Sequence, residues 1–470
     1  MRADKKHIYP RGPCCKGPRM MQTVELPIWL FILILFFAVV TFASHFLFPS
    51  VRWFFRRRME RVVKRVNERL ERPIEPFKLA RRYDMIQRLI YDPEVSQAIA
   101  DHARRNSVPE NVAFEQARKY AREIVPSFSA TAYFGIAIRI ARGMSNALYR
   151  VRLGYHDDAG LSALDKNATV VFVMNHRSNM DYVLVTYLAA ERSALAYAVG
   201  EWARVWPLSR LIKAMGAYFI RRKSRGDLYR RVLARYVHLA TQAGVTQAMF
   251  PEGGLSLDGK LAPPKLGLLK YITDGYADGD RDVLFVPVAL NYDRVLEDRI
   301  LIAADAAGTR RFRARIGVVT GFFVKQLWLR ISGRFHRFGY AAVSFGPAVS
   351  LSAHVQTHGA PDAEQLATEL MQRIADIVPV VPVPLLASVM RDRESVKCDE
   401  LPALLDVELS KLNSVHIHMP RGEISYAVEI ALKHLSERRI LRTEGDMIVV
   451  DEKQRFALRY YANSIAHLKR

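Results

Sequence analysis

The chain has 470 residues, half of them hydrophobic, enough to bury at least one large core. Its 70 Lys and Arg against 47 Asp and Glu leave a net charge of +23, which favours an anionic partner: nucleic acid, an acidic membrane surface or an acidic substrate. Three cysteines, with Cys14 and Cys15 adjacent and Cys398 far away, exclude a disulfide framework, and no CxxC or His-rich spacing suggests a metal.

Residues 1–25 read as a polar, unstructured tail. Leu26 to Phe48 is an apolar run without Asp, Glu, Lys or Arg, long enough as a helix to cross a hydrocarbon core of about 30 Å. A transmembrane helix is therefore expected over 26–48. The arginine-dense stretch Val51 to Arg72 that follows would hold this flank, and the bulk of the chain, on the cytoplasmic face. Phe55, Met59, Val62, Val63, Val66 and Leu70 recur at helical spacing between the basic residues. That pattern suits a helix lying on anionic headgroups or one packed on the adjoining domain. Residues 49–150 thus read as a basic amphipathic helix and a helical region, with helices over 83–89, 94–105, 112–124 and 130–150.

The character then changes. Ala168 to Met174 is a short β-branched run, as expected of a buried strand, and a helix follows from Tyr182 to Glu191. Strands recur over 217–220, 247–250, 283–289 and 340–345, with helices over 228–243 and 265–274. This alternation predicts an α/β fold whose mixed, largely parallel sheet is flanked by helices, spanning 151–355. Residues 356–470 read as mainly helical, with a break at the Pro-rich stretch 378–384 and a late hairpin around Glu444-Gly-Asp446.

Asn175-His-Arg-Ser-Asn-Met-Asp181 carries the candidate chemistry. On one continuous helix, His176 and Asp181 would lie about 140° apart and would not meet. Here the histidine follows a strand and the aspartate opens a helix, so the chain between them can turn back. Asp181 can then accept the Nδ1–H of His176 and leave Nε2 as a base for a hydroxyl proton. Taken alone, such a pair fits a satisfied core histidine equally well.

Three later segments keep it company. Gly216-Ala-Tyr-Phe-Ile-Arg-Arg222 ends a strand in cations suited to bidentate phosphate contacts, although a solvated basic loop would look the same. Phe250-Pro-Glu-Gly-Gly-Leu-Ser256 brings backbone N–H groups and a carboxylate close to a ligand, or simply makes a turn. Leu284 to Ala289, followed by Asn291-Tyr-Asp293, reads as an apolar wall rather than a source of chemistry.

In this order HRSNMD, GAYFIRR, FPEGG and FVPVALNYDRVLED resemble the four blocks of the glycerolipid acyltransferases, most closely the bacterial membrane-bound glycerol-3-phosphate acyltransferases. The resemblance runs from about Ala80 to Leu351, and Leu458 to His467 is similar to that family's C-terminal region. It implies that 151–355 is an acyltransferase catalytic domain, with His176 as general base oriented by Asp181. It assigns Arg221 and Arg222 to the acceptor phosphate, and Glu252, Gly253 and Ser256 to acceptor binding. Leu255 stands where many members carry arginine, and Lys265 or Arg225 would supply the missing charge. The implied donor is acyl-CoA or acyl-carrier protein, the acceptor glycerol-3-phosphate, and the location a lipid bilayer, with no cofactor, metal or nucleic acid. Dihydroxyacetone phosphate and lysophosphatidate are alternative acceptors. A non-catalytic basic membrane protein binding anionic lipid or nucleic acid is the rival of another class, although no nucleic-acid module is recognisable.

Overall fold

Short apolar runs buried on both faces build the centre of the molecule. The computed structural model describes residues 27–156, 158–189, 193–200, 208–221, 226–277, 279–308, 328, 332, 337–412, 417 and 422–469. Two compact units divide between Arg61 and Val62.

One helix begins at Ile28 in the first unit and runs to Asn67, past that division, 40 residues in all. From Ile28 to Phe42 its large apolar side chains, Leu30 apart, are exposed, among them Trp29, Phe31, Leu35 and Phe42. No helix among the described residues is long and apolar enough to cross a membrane. The span expected over 26–48 is therefore not confirmed.

The second unit holds an eight-stranded sheet: β1 (Arg150–His156), β2 (Thr169–Met174), β3 (Ala196–Gly200), β4 (Tyr218–Ile220), β5 (Gln247–Met249), β6 (Val283–Tyr292), β7 (Tyr340–Phe345) and β8 (Val349–Ser350). The order is β1-β7-β6-β2-β5-β3-β4, with β8 also on β6. Strands β6, β2, β5, β3 and β4 run parallel, while β7 and β8 oppose β6 and β1 follows β7. The fold is α/β with a mixed, mostly parallel sheet. In register, Val173 lies between Pro287 and Met249, and Gly200 lies beside Ile220. The carboxyl ends of β2, β5, β3 and β4 therefore open on one edge, where open parallel sheets bind ligands.

Elements with a strong pattern lie within a few residues of expectation: the helices Met180–Leu188, Asp227–Gln242, Gly267–Thr273 and Ala363–Asp376, and the hairpin Leu441–Glu444 with Met447–Val450. Three differences are physical. The expected helix over 130–150 opens with a π-helical segment, Thr131–Ala137, and stops at Leu148, where β1 begins. Strand β3, buried throughout, was not anticipated. The Pro-rich stretch does not only break structure: Pro382 and Pro384 open a wholly buried helix, Pro382–Met390, whose first turn needs no proline N–H. Against it pack the C-terminal helices Leu401–Ser410, Ile424–Glu437 and Arg455–Asn463.

Candidate active site

His176 lies two residues beyond β2, and Asp181 sits in the first turn of the helix Met180–Leu188, so the chain between them does turn back. His176 Nδ1 lies 2.9 Å from Asp181 Oδ2, with both side chains buried. The same oxygen accepts the backbone N–H groups of Arg177, at 2.7 Å, and Ser178, at 3.0 Å. Asp181 Oδ1 accepts the Tyr292 hydroxyl at 2.6 Å. An ionised carboxylate only accepts, so the imidazole proton is on Nδ1 and Nε2 carries the lone pair. The ring stacks on Phe250, centroids 4.0 Å apart, and meets Tyr182 edge-on at 5.5 Å.

The third block grips the backbone of this histidine. Glu252, expected among the acceptor ligands, turns its carboxylate inward and accepts His176 N–H at 2.8 Å and Ala262 N–H at 3.0 Å. Burial raises its carboxyl above the usual range, against the opposing charge of Arg177 and these two donors. Ser256 donates its N–H to the His176 carbonyl at 3.0 Å, and its hydroxyl goes to Lys260 O at 2.6 Å. Both polar ends of His176 are thus fixed from one loop.

A cavity of about 430 Å³ opens at the sheet edge and brings His176, Arg221, Gly253 and Lys265 onto one wall system. The rest of its lining is largely apolar, including Val173, Leu233, Met249 and Leu269. Gly253 has φ +65°, and a Cβ there would come within 2.7 Å of Lys265 Cδ, so the glycine lets the lysine stem lie across the loop. Leu255 is partly buried, packs against the main apolar core and presents no charge. Arg221 is chelated by Glu123, Nε to Oε2 at 2.8 Å and Nη2 to Oε1 at 2.5 Å. The rings of Tyr120 and Tyr229 flank it at 5.1 and 5.6 Å. Its hydrogen bonds to Glu123 raise its pKa still further. Arg222 and Arg225 lie outside the described residues. Among the described residues no cluster of His, Cys, Asp and Glu could hold a metal ion.

Several residues of the site escaped the sequence reading. Tyr292, read as part of an apolar wall, is a hydrogen-bond donor to the Asp181 carboxylate. Glu297 accepts the Ser178 hydroxyl at 2.8 Å and the Asn179 side-chain amide at 3.0 Å, closing the turn between His176 and Asp181. Burial raises the Glu297 carboxyl, against those two donors. Glu123, 98 residues from Arg221, had no local signal at all.

Residues 157–291 match the family model Acyltransferase, and residues 327–469 match the model for the glycerol-3-phosphate acyltransferase C-terminal region. The chain thus carries an acyltransferase domain followed by a region similar to the C-terminal part of the glycerol-3-phosphate acyltransferases, which supports an acyltransferase enzyme. It is 28% identical over 429 residues to the glycerol-3-phosphate acyltransferase of Aeromonas hydrophila, and 27% over 427 to that of Shewanella loihica. Each alignment takes in 83% of this chain and 50% of the relative, so the chain spans about half the length of the curated relatives it matches. Among solved structures it is similar to the 1-acyl-sn-glycerophosphate acyltransferase of Thermotoga maritima, at 18% identity and a TM-score of 0.33, covering 51% of this chain and 76% of that one.

Proposed function

We propose that this protein transfers a fatty acyl group from acyl-CoA or acyl-carrier protein to the sn-1 hydroxyl of glycerol-3-phosphate, giving lysophosphatidate. The observation that carries this reading is the His176 ring, held by Asp181 at 2.9 Å and lining a largely apolar cavity that also holds Lys265 and Arg221. His176 Nε2 takes the acceptor hydroxyl proton, and the oxygen attacks the thioester carbonyl to give a tetrahedral intermediate. That intermediate collapses with cleavage of the C–S bond, and His176 returns the proton to the leaving thiolate. No acyl-enzyme is needed, because the Ser178 hydroxyl is already committed to Glu297.

In this reading Lys265 and Arg221 face the acceptor phosphate, joined by Arg222. Lys265 supplies the charge that Leu255 lacks. Glu252, Gly253 and Ser256 serve the acceptor indirectly, by shaping the loop that carries Lys265 and fixes His176. The helix Ile28–Asn67 attaches the enzyme to a bilayer on its cytoplasmic face. Its exposed apolar stretch and the arginines beyond it support that attachment.

The test is purification in detergent followed by assays with labelled acyl-CoA and acyl-carrier protein against glycerol-3-phosphate, dihydroxyacetone phosphate and lysophosphatidate. Label in 1-acyl-glycerol-3-phosphate is expected. Label in another acceptor alone would reassign the substrate. Binding of liposomes or DNA with transfer to no acceptor would contradict the enzymatic reading.

A further inference from the structure

We infer that the C-terminal helix Arg455–Asn463 is a positioning element of the catalytic site and acts through Arg177. This rests on the acyltransferase reading above. Arg177 follows the proposed base directly and is among the largest fully buried side chains of the molecule. Its backbone N–H is one of the four donors that fix Asp181. Its guanidinium leaves the catalytic loop altogether: Nη1 donates to the Gly259 carbonyl, and Nη2 to the Ser464 carbonyl at 3.1 Å, 287 residues away.

The destination makes chemical sense. Ser464 is the C-terminal cap of the helix Arg455–Asn463, where unpaired carbonyls carry the negative end of the helix dipole. Among the described residues no carboxylate is hydrogen-bonded to Arg177, so that helix end and the nearby Glu252 supply its counter-charge. A buried guanidinium is costly unless such partners are held in place.

The same helix end is tied to the site at three further points. Asn463 donates its side-chain amide to Asp258 O at 2.8 Å, beside Gly259. Gly259 has φ +87°, and a Cβ there would stand 1.9 Å from the Tyr460 carbonyl, so loop and helix touch backbone to backbone. Asn291, adjacent to Tyr292, donates to the Ser464 hydroxyl at 3.3 Å and to Pro379 O at 3.0 Å. Tyr292, which orients the catalytic pair from outside their own loop, therefore sits next to a contact with the C-terminal region. The His176–Asp181 geometry is completed from this distant part of the chain.

The experiment measures kcat, both KM values and thermal unfolding for the full chain and for Arg177→Met, Gly259→Ala and Asn463→Ala. A displaced catalytic loop lowers kcat, on the order of 10²-fold for a misplacement of about 1 Å, while the acceptor KM stays within about twofold. Arg177→Met and Gly259→Ala should show that kcat loss with folding retained, Asn463→Ala a smaller one, and Arg177→Lys should recover part of it. Wild-type kcat in a folded Arg177→Met, or in a folded Gly259→Ala should Arg177→Met not fold, would overturn the inference. The same outcome with an inactive His176→Ala leaves the acyltransferase reading intact, whereas activity in His176→Ala removes that reading first.

Discussion

The two sides of the cavity are built differently. On the side of the base, His176, Asp181, Glu252 and Arg177 are all buried, and every polar end of the histidine backbone and of the Asp181 carboxylate has a partner at 2.6–3.0 Å. On the cationic side, Arg221 keeps 27% of its side-chain surface exposed and is held by a single carboxylate, Glu123. A base must be placed to a fraction of an ångström to act, and burial with redundant hydrogen bonds achieves that. A phosphate is attracted over a longer range and tolerates a looser arrangement of cations. Substitutions on the first side should therefore lower kcat, and those on the second should raise the acceptor KM.

The largest effect is expected for Asp181→Asn. An amide in place of the carboxylate favours the wrong imidazole tautomer, and kcat should fall on the order of 10²–10⁴-fold with the acceptor KM little changed. A steady-state assay showing mainly a KM increase would break the distinction between the two sides. Glu252→Ala comes next. It strands two buried N–H groups, at about 1–3 kcal/mol each, so thermal unfolding should drop and kcat should fall steeply. If Glu252 were instead an acceptor ligand, the KM would carry the effect.

Tyr292→Phe removes one hydrogen bond to a charged group, a contribution of about 1.5–3 kcal/mol, of which part should appear as a roughly tenfold loss in kcat. Unchanged kinetics would reduce Tyr292 to a packing residue. Lys265→Met should act on the other side, raising the glycerol-3-phosphate KM about fivefold, as fits roughly 1 kcal/mol for a partly solvated charge. Arg221→Lys, which gives up the bidentate contact but keeps the charge, should have the smallest effect on the same parameter.

The sequence made the base side legible in its identity but not in its support. His176 and Asp181 stand five residues apart between a strand and a helix, so a local turn explains their meeting. The partners that fix them come from 76 and 111 residues away, and no local pattern announces them. The backbone contacts of Glu252 were hidden for a reason that generalises: FPEGG has the composition of a ligand loop, and only the direction of the carboxylate shows that it also holds backbone. Among strands, β2 and β6 were visible because both faces are buried and β-branched. Strand β1, RVRLGYH, alternates arginine with apolar residues at the sheet's end, and β3, AYAVG, is too short and alanine-rich to signal a strand. The helix Pro382–Met390 was hidden because proline reads as a breaker, although it is at home in a first helical turn.

The most direct measurement of the central claim is acyl transfer to glycerol-3-phosphate by purified His176→Ala beside the wild-type chain, with thermal unfolding of both. The account predicts a folded variant of similar stability whose turnover is lower by about 10²-fold or more. Wild-type turnover by folded His176→Ala would contradict it.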